Sequence, residues 1–395
     1  MDKRYLFTPG PTPLPPQVQE ALSRPIIHHR TTQYRALFKR VLEGLKQVFQ
    51  TTQPVLVLTS SGTGAMEAAV ANLLSPGDQA LVVLGGKFAE RWEELCRAYG
   101  VTVATVEVAY GDAVDLPRVR AALKAQPGTK AVFATLCETS TGVVHDIQGL
   151  AAIVNGTPAV LVVDAISGLG ADECQTEAWG VDIVVSGSQK ALMLPPGLAF
   201  LSLSEKARHL IEQSKSPRYY FDLRRSLKAL EDDDTPFTSS VSLVVALDEA
   251  LKLILERGVA GVIQRCQTMS QATRQACQAM KLELFAKRPS NALTAIVSPP
   301  SVDCKKLIKL LQDRHQVTVA GGQGSMAGKL FRIAHMGYIA PSDLLVALGA
   351  LELSLAELGY PVTLGQGLGA AQTVFGSVKP ASTGAAPAPA HSVRA

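Results

Sequence analysis

No stretch of this sequence reaches about 18 consecutive apolar residues, and the opening "MDKRYLFTPGPTPLPP" has no apolar signal core, so neither a membrane span nor an export signal is expected. Paired cysteines are missing as well. Cys96, Cys137, Cys174, Cys266, Cys277 and Cys304 are scattered, with no Cys-x-x-Cys and no histidine beside them at ligand spacing. That argues against a zinc or iron–sulfur motif, so no metal is expected and the thiols read as reduced ones in the cytoplasm. Charge of one sign is lacking too: charged residues make up 18% and the net charge is +4, which leaves no nucleic-acid footprint. With 47% hydrophobic residues the chain is not a disordered one, and no internal repeat is found. What is left is a cytoplasmic chain whose expected partner is a small molecule. Its 395 residues exceed what one core usually fills.

Strand-like runs alternate with segments long enough for helices. "PVLVLT", "ALVVLG", "VTVATVEV", "KAVFATL", "AVLVVD", "VDIVVS" and "LAFLSL" fall between Pro54 and Leu203, the signature of a largely parallel sheet with crossover helices. From about Leu247 a long helical pattern leads to "LTAIVS", "KKLIKLLQDRHQ" and "FRIAHMG", which reads as a smaller α/β unit. The expected divisions are an N-terminal arm over 1–20, a large domain over 21–250, a small domain over 251–364 and a disordered tail over 365–395. The tail rests on a Gly-, Ala-, Pro- and Ser-rich composition with no apolar period.

In an open parallel sheet ligands collect outside the carboxyl ends of the strands, and the residues there are chemically rich. After "PVLVLT" comes "SSGTGAMEAAVANLL", small residues opening a helix whose first amides suit a phosphate. After "ALVVLG" comes "GKFAERW" with Phe88. After "KAVFATL" comes "CETSTGV", whose hydroxyls equally suit a turn or cap. Asp164 ends "AVLVVD", and Lys190 follows "VDIVVSGSQ". A lysine at the exit of a buried strand is costly to desolvate unless it is paired or works as an amine. By itself Lys190 reads as a snorkelling surface lysine, and Asp164 as an ion-pair partner. Together they match an aldehyde cofactor, pyridoxal phosphate, which takes a Schiff-base lysine, a carboxylate for its ring nitrogen and an anion site for its phosphate. "AGGQGSMAGKLF" fails the nucleotide phosphate-loop pattern, because Gln323 stands where the first glycine belongs and Leu330 follows Lys329. His28, His29 and Arg30 read as a solvated turn.

The chain resembles the class V aminotransferases of PLP fold type I, in particular the alanine:glyoxylate and serine:glyoxylate branch. "TPGPTPLPP", "HHRTTQYR", "SGTGAMEA", "GGKFAERW", "ETSTGV", "VVDAISGLG", "SGSQKAL" with "PPG", "TPFTSSVSL" and "FRIAHMG" carry the likeness over about Leu6 to Pro361. The resemblance implies an α/β fold with a mostly parallel sheet in the large domain and a smaller C-terminal α/β domain. It implies pyridoxal 5'-phosphate as cofactor, with Lys190 as the Schiff-base lysine, Asp164 as the ring-nitrogen partner, Phe88 stacked on the ring and Thr139 bonded to it. Gly62, Thr63 and Gln189 are implied on the phosphate side, and Thr235 and Thr238 in the neighbour's phosphate site across a homodimer. Arg332 is implied as the substrate carboxylate's partner, its planar fork suiting bidentate capture; read alone it is equally a surface arginine. The expected reaction is amino transfer from L-alanine or L-serine to glyoxylate, an amino acid and a 2-oxo acid. Two other readings stand beside it. Cyanobacterial relatives with this pattern bear the name of a soluble hydrogenase small, tritium-exchange subunit, and a cysteine desulfurase-like lyase would keep the cofactor. The desulfurases have a histidine before the lysine, where this chain has Gln189.

Overall fold

The computed structural model describes residues 3–377. Seven strands form the main sheet: β1 (Val55–Leu58), β2 (Gln79–Leu84), β3 (Thr102–Glu107), β4 (Thr129–Thr135), β5 (Val160–Asp164), β6 (Ile183–Gly187) and β7 (Ala199–Leu203). Their order across the sheet is β1-β7-β6-β5-β4-β2-β3. All run parallel except β7, which is antiparallel to both β1 and β6. The reason is local. Between β6 and β7 the chain has only Ser188–Leu198, too short for a crossover helix, and the Pro195-Pro196-Gly197 turn reverses it. Ser188 locks that reversal: its hydroxyl donates to the Pro195 carbonyl at 2.7 Å and accepts from the Leu198 amide at 3.2 Å.

Because helices cover both faces, the central strands are largely apolar, with runs such as residues 160–163 and 183–185. Alternation still sorts the side chains into two cores. Leu161, Val163, Val184, Val132 and Leu81 join the helices Thr32–Phe49, Ile147–Val154 and Val241–Arg257. Val160, Val162, Ile183, Val185 and Phe133 join the helices Gly62–Leu73 and Lys87–Ala98 on the other face. Each such side chain contributes roughly 1.5–3 kcal/mol by leaving water, which makes the sheet a rigid base for the loops at its ends.

A second, antiparallel sheet has the order β8 (Leu293–Val297), β10 (Leu330–Ala334), β9 (Ala320–Gly321) and packs on its own core with the helices Val259–Ala279, Cys304–His315 and Pro341–Glu357. The border expected between residues 250 and 251 falls inside the helix Val241–Arg257. Leu251 and Ile254 still belong to the first core, so the helix runs on to its end, and the next begins after Gly258.

The expectation of a disordered tail from 365 is corrected in part. Gln366–Ser377 is a helix. Its start is capped from a distance: the buried Glu352 carboxylate accepts from the amides of Gly365 at 2.8 Å, Gly367 at 2.6 Å and Leu368 at 3.2 Å, while Leu368, Val374 and Phe375 pack on the second core. Composition alone carries no trace of such a tertiary cap. Residues 378–395 lie outside the described residues.

Candidate active site

Lys190 lies in the reversing loop after β6, and Asp164 is the last residue of β5 beside it. Both are buried, at 9% and 3% exposure. The Lys190 Nζ donates to the carbonyl of Pro9, and no carboxylate of the described residues lies within ion-pair distance of it. Burial holds its pKa down to about 8. The Asp164 Oδ1 accepts from the Ile166 amide at 2.8 Å; burial raises its pKa to about 7, with the Glu138 carboxylate adding to the rise. Charge is thus expensive on both groups until a partner arrives.

The N-terminal segment closes over the lysine. Tyr5–Leu6 pairs with Val317–Thr318 of the second unit, and the chain then crosses to the first, where the Thr12 amide donates to Gln189 O at 3.2 Å and the Thr12 hydroxyl to Lys190 O at 2.9 Å. Gly10 has φ 119°, and a Cβ there would sit 2.6 Å from Lys190 Cδ, Cε and Nζ, so only glycine allows this approach.

Around the pair stand the other expected residues. Thr139 Oγ1 and Ser167 Oγ are 2.7 Å apart. Arg332, on β10, is buried and donates through Nη1 to the Thr139 carbonyl at 2.7 Å and through Nε to the Gly321 carbonyl at 3.0 Å. Burial lowers its pKa to about 10. Phe88 is half-buried in the first turn of Lys87–Ala98, with the Arg91 guanidinium 5.1 Å from its ring centre. Arg91 also donates to Thr63 Oγ1 at 3.1 Å. Gly62 backs onto Ile166, as does Gly187, which also faces Gln189. The Gln189 side-chain oxygen is buried without a partner.

Thr235 and Thr238 stand apart from this cluster. They line a hollow with Thr59, Tyr220 and Phe237, and the Thr235 hydroxyl donates to Phe237 O at 2.7 Å. Arg30, on an exposed turn, reaches this loop, donating to Thr235 O at 2.7 Å and pairing with Asp234 at 2.7 Å. Two groups escaped the sequence reading, Arg91 and Glu138. Both lie inside quoted motifs, "GGKFAERW" and "ETSTGV", and their charge beside a strand end was the available signal.

A buried amine and a buried carboxylate, neither in an ion pair among the described residues, and an unpartnered amide oxygen fit a group that brings an aldehyde, a basic ring nitrogen and a phosphate. The comparisons agree. The family Aminotransferase class-V matches residues 4–340. The soluble hydrogenase small subunit of Synechococcus sp. is 40% identical over 380 residues, 95% of this chain and 99% of that protein. The serine–glyoxylate aminotransferase of Arabidopsis thaliana is 34% identical over 380 residues, 94% of this chain and 95% of the other. The crystal structure of alanine–glyoxylate aminotransferase from Nostoc sp. superposes with a TM-score of 0.87 at 29% identity, covering 90% of this chain and 96% of that one.

Proposed function

From the premise that this chain belongs to the class V aminotransferases, enzymes whose cofactor is pyridoxal 5'-phosphate, we propose that it moves the amino group of L-alanine or L-serine to glyoxylate in two half-reactions. The observation that carries the reading is that the Lys190 amine and the Asp164 carboxylate are both buried at one end of the sheet, and neither forms an ion pair among the described residues. When bound, the cofactor supplies an aldehyde that captures amines and a ring that withdraws electrons from the substrate's α-carbon.

The chain's own residues do the rest. Lys190 would hold the aldehyde, and its Nζ would be the base that moves the α-carbon proton; with burial holding its pKa down to about 8, the amine can give and take a proton near neutrality. Asp164 would keep positive charge on the ring nitrogen. Phe88 would stack on the ring, Thr139 would bond to it, and Gly62, Thr63 and Gln189 would receive the phosphate. Arg332 orients the α-carboxylate of both donor and acceptor. Arg91, the further guanidinium in the crevice, is engaged with Thr63 and the Phe88 ring, which supports a donor with a single carboxylate. The names of the Arabidopsis and Nostoc proteins support glyoxylate as acceptor. Thr235 and Thr238 belong to the site of a second copy, so the working form is a homodimer, and the large domain carries the cofactor while the small one carries Arg332.

The name of the Synechococcus relative favours a second reading, a subunit of a hydrogenase assembly. One titration separates the two. The absorbance of the purified, cofactor-loaded protein is followed on adding L-alanine, L-serine or L-aspartate. Bleaching of the cofactor band by alanine or serine, reversed by glyoxylate, supports the aminotransferase. A colourless protein, or a band indifferent to all three amino acids, sinks it.

A further inference from the structure

Glu138 is fully buried, stands in no ion pair among the described residues, and has no role in the scheme above. Its bonds are unusual in what they join. Oε2 accepts from the amides of Phe88 at 3.2 Å and Ala89 at 3.1 Å, and Oε1 accepts from the amide of Ser140 at 3.0 Å and its hydroxyl at 2.5 Å. The Ser140 hydroxyl in turn accepts from the Lys87 amide at 3.1 Å. The first three amides of the helix Lys87–Ala98 are therefore satisfied from one loop, directly or through Ser140. A helix start leaves these donors free and carries partial positive charge, so an anion is the natural partner. Gly86, the residue before the helix, is what lets it in: a Cβ there would lie 2.4 Å from Glu138 Cγ and Cδ.

The same loop holds the other half of the crevice. Thr139, the next residue, gives its carbonyl to Arg332 and pairs its hydroxyl with Ser167. Burial raises the Glu138 pKa, and the Ser140, Ala89 and Phe88 donors oppose that rise. Resting on the aminotransferase reading, we propose that Glu138 is a positioning residue that couples the two binding functions of the site. It fixes Phe88 against the cofactor through the helix start, and Arg332 against the substrate carboxylate through Thr139.

The coupling separates this role from simple structural support. In Glu138→Gln the charge is lost and an amide N–H₂ faces backbone donors, so both functions should weaken together. We expect the dissociation constant for pyridoxal phosphate, read by tryptophan fluorescence of the cofactor-free protein, to rise by about 10- to 100-fold, the range of one lost charged hydrogen bond. The apparent constant for L-alanine on protein saturated with cofactor should rise at least several-fold in parallel. Circular dichroism and thermal melting report the fold in the same samples. A lower melting temperature with both constants at wild-type values would overturn the proposal, as would a change in only one of them. Should Glu138→Gln not fold, Ser140→Ala decides: it keeps the carboxylate but breaks the link to Lys87, and both constants should move the same way by a smaller factor, with no movement refuting the idea. Wild-type protein that binds the cofactor yet ignores L-alanine, L-serine and L-aspartate alike would instead refute the aminotransferase reading.

Discussion

Replacing Asp164 by asparagine should make the cofactor-free chain more stable at pH 8 and the loaded chain less so. The wild-type carboxyl group is 3% exposed and accepts one amide hydrogen bond, from Ile166 at 2.8 Å. Burial raises its pKa from the ordinary 3.8 to about 7. The sign follows from linkage: the folded state binds this proton more tightly than the unfolded one, so the group's favourable contribution is complete below pH 3.8 and is lost as the pH rises to about 7. Roughly three powers of ten in proton affinity, at about 1.4 kcal/mol each, make the ionised group cost about 4 kcal/mol above pH 7. Asparagine carries no charge and keeps an oxygen for the Ile166 amide, but its own N–H₂ lacks a partner, which returns about 1–3 kcal/mol. The net gain is then about 1–3 kcal/mol. With unfolding entropy near 2.1 cal/mol/K per residue, about 0.8 kcal/mol/K for the whole chain, the melting temperature rises by about 1–4 °C. Melting of cofactor-free proteins at pH 8 and pH 4.5 measures this directly; the gap should vanish or invert at the lower pH, and added pyridoxal phosphate should stabilise the wild type more than the variant. A variant no more stable at pH 8, or a gap independent of pH, would refute the reasoning.

Lys190 titrates near 8 because burial opposes its charge, and only the free amine attacks an aldehyde, so cofactor uptake by the emptied chain should quicken about tenfold per pH unit below 8 and level off above it. Stopped-flow absorbance between pH 6 and 9 gives the profile, and Lys190→Ala should show no such covalent phase at any pH. Arg332→Lys replaces a fork with a point charge and should weaken L-alanine and glyoxylate together by roughly 1.5–3 kcal/mol while cofactor loading persists; spectral titrations with both substrates would disprove this by showing unchanged affinities. Mixing Thr238→Ala with Lys190→Ala chains should restore measurable activity, because one site of the mixed dimer then carries both lesions and the other neither. Subunit exchange without recovery would mean that one chain builds the whole site.

The residues at the strand ends were legible without coordinates. Parallel strands buried on both faces are largely apolar, so the charged Asp164 at the end of one and Lys190 in the loop after the next stand out in the text, and both lie at the carboxyl ends of the strands where the crevice forms. The motif resemblance added roles there for Phe88, Thr139, Gln189 and Arg332: Arg332 bonds the Thr139 carbonyl, Gln189 precedes Lys190, and Arg91 joins the Phe88 ring to Thr63, whereas Thr235 and Thr238 line a separate hollow. Other features depended on groups far apart in the chain. The Pro9 carbonyl meets Lys190 across 181 positions, and Arg332 meets Thr139 across 193. The helix Gln366–Ser377 is started by Glu352, and Glu138 caps a helix 50 positions away. No local pattern encodes such pairings, because a buried acceptor selects its donor only after the sheets and helices have packed and no water is left to take the donor's place.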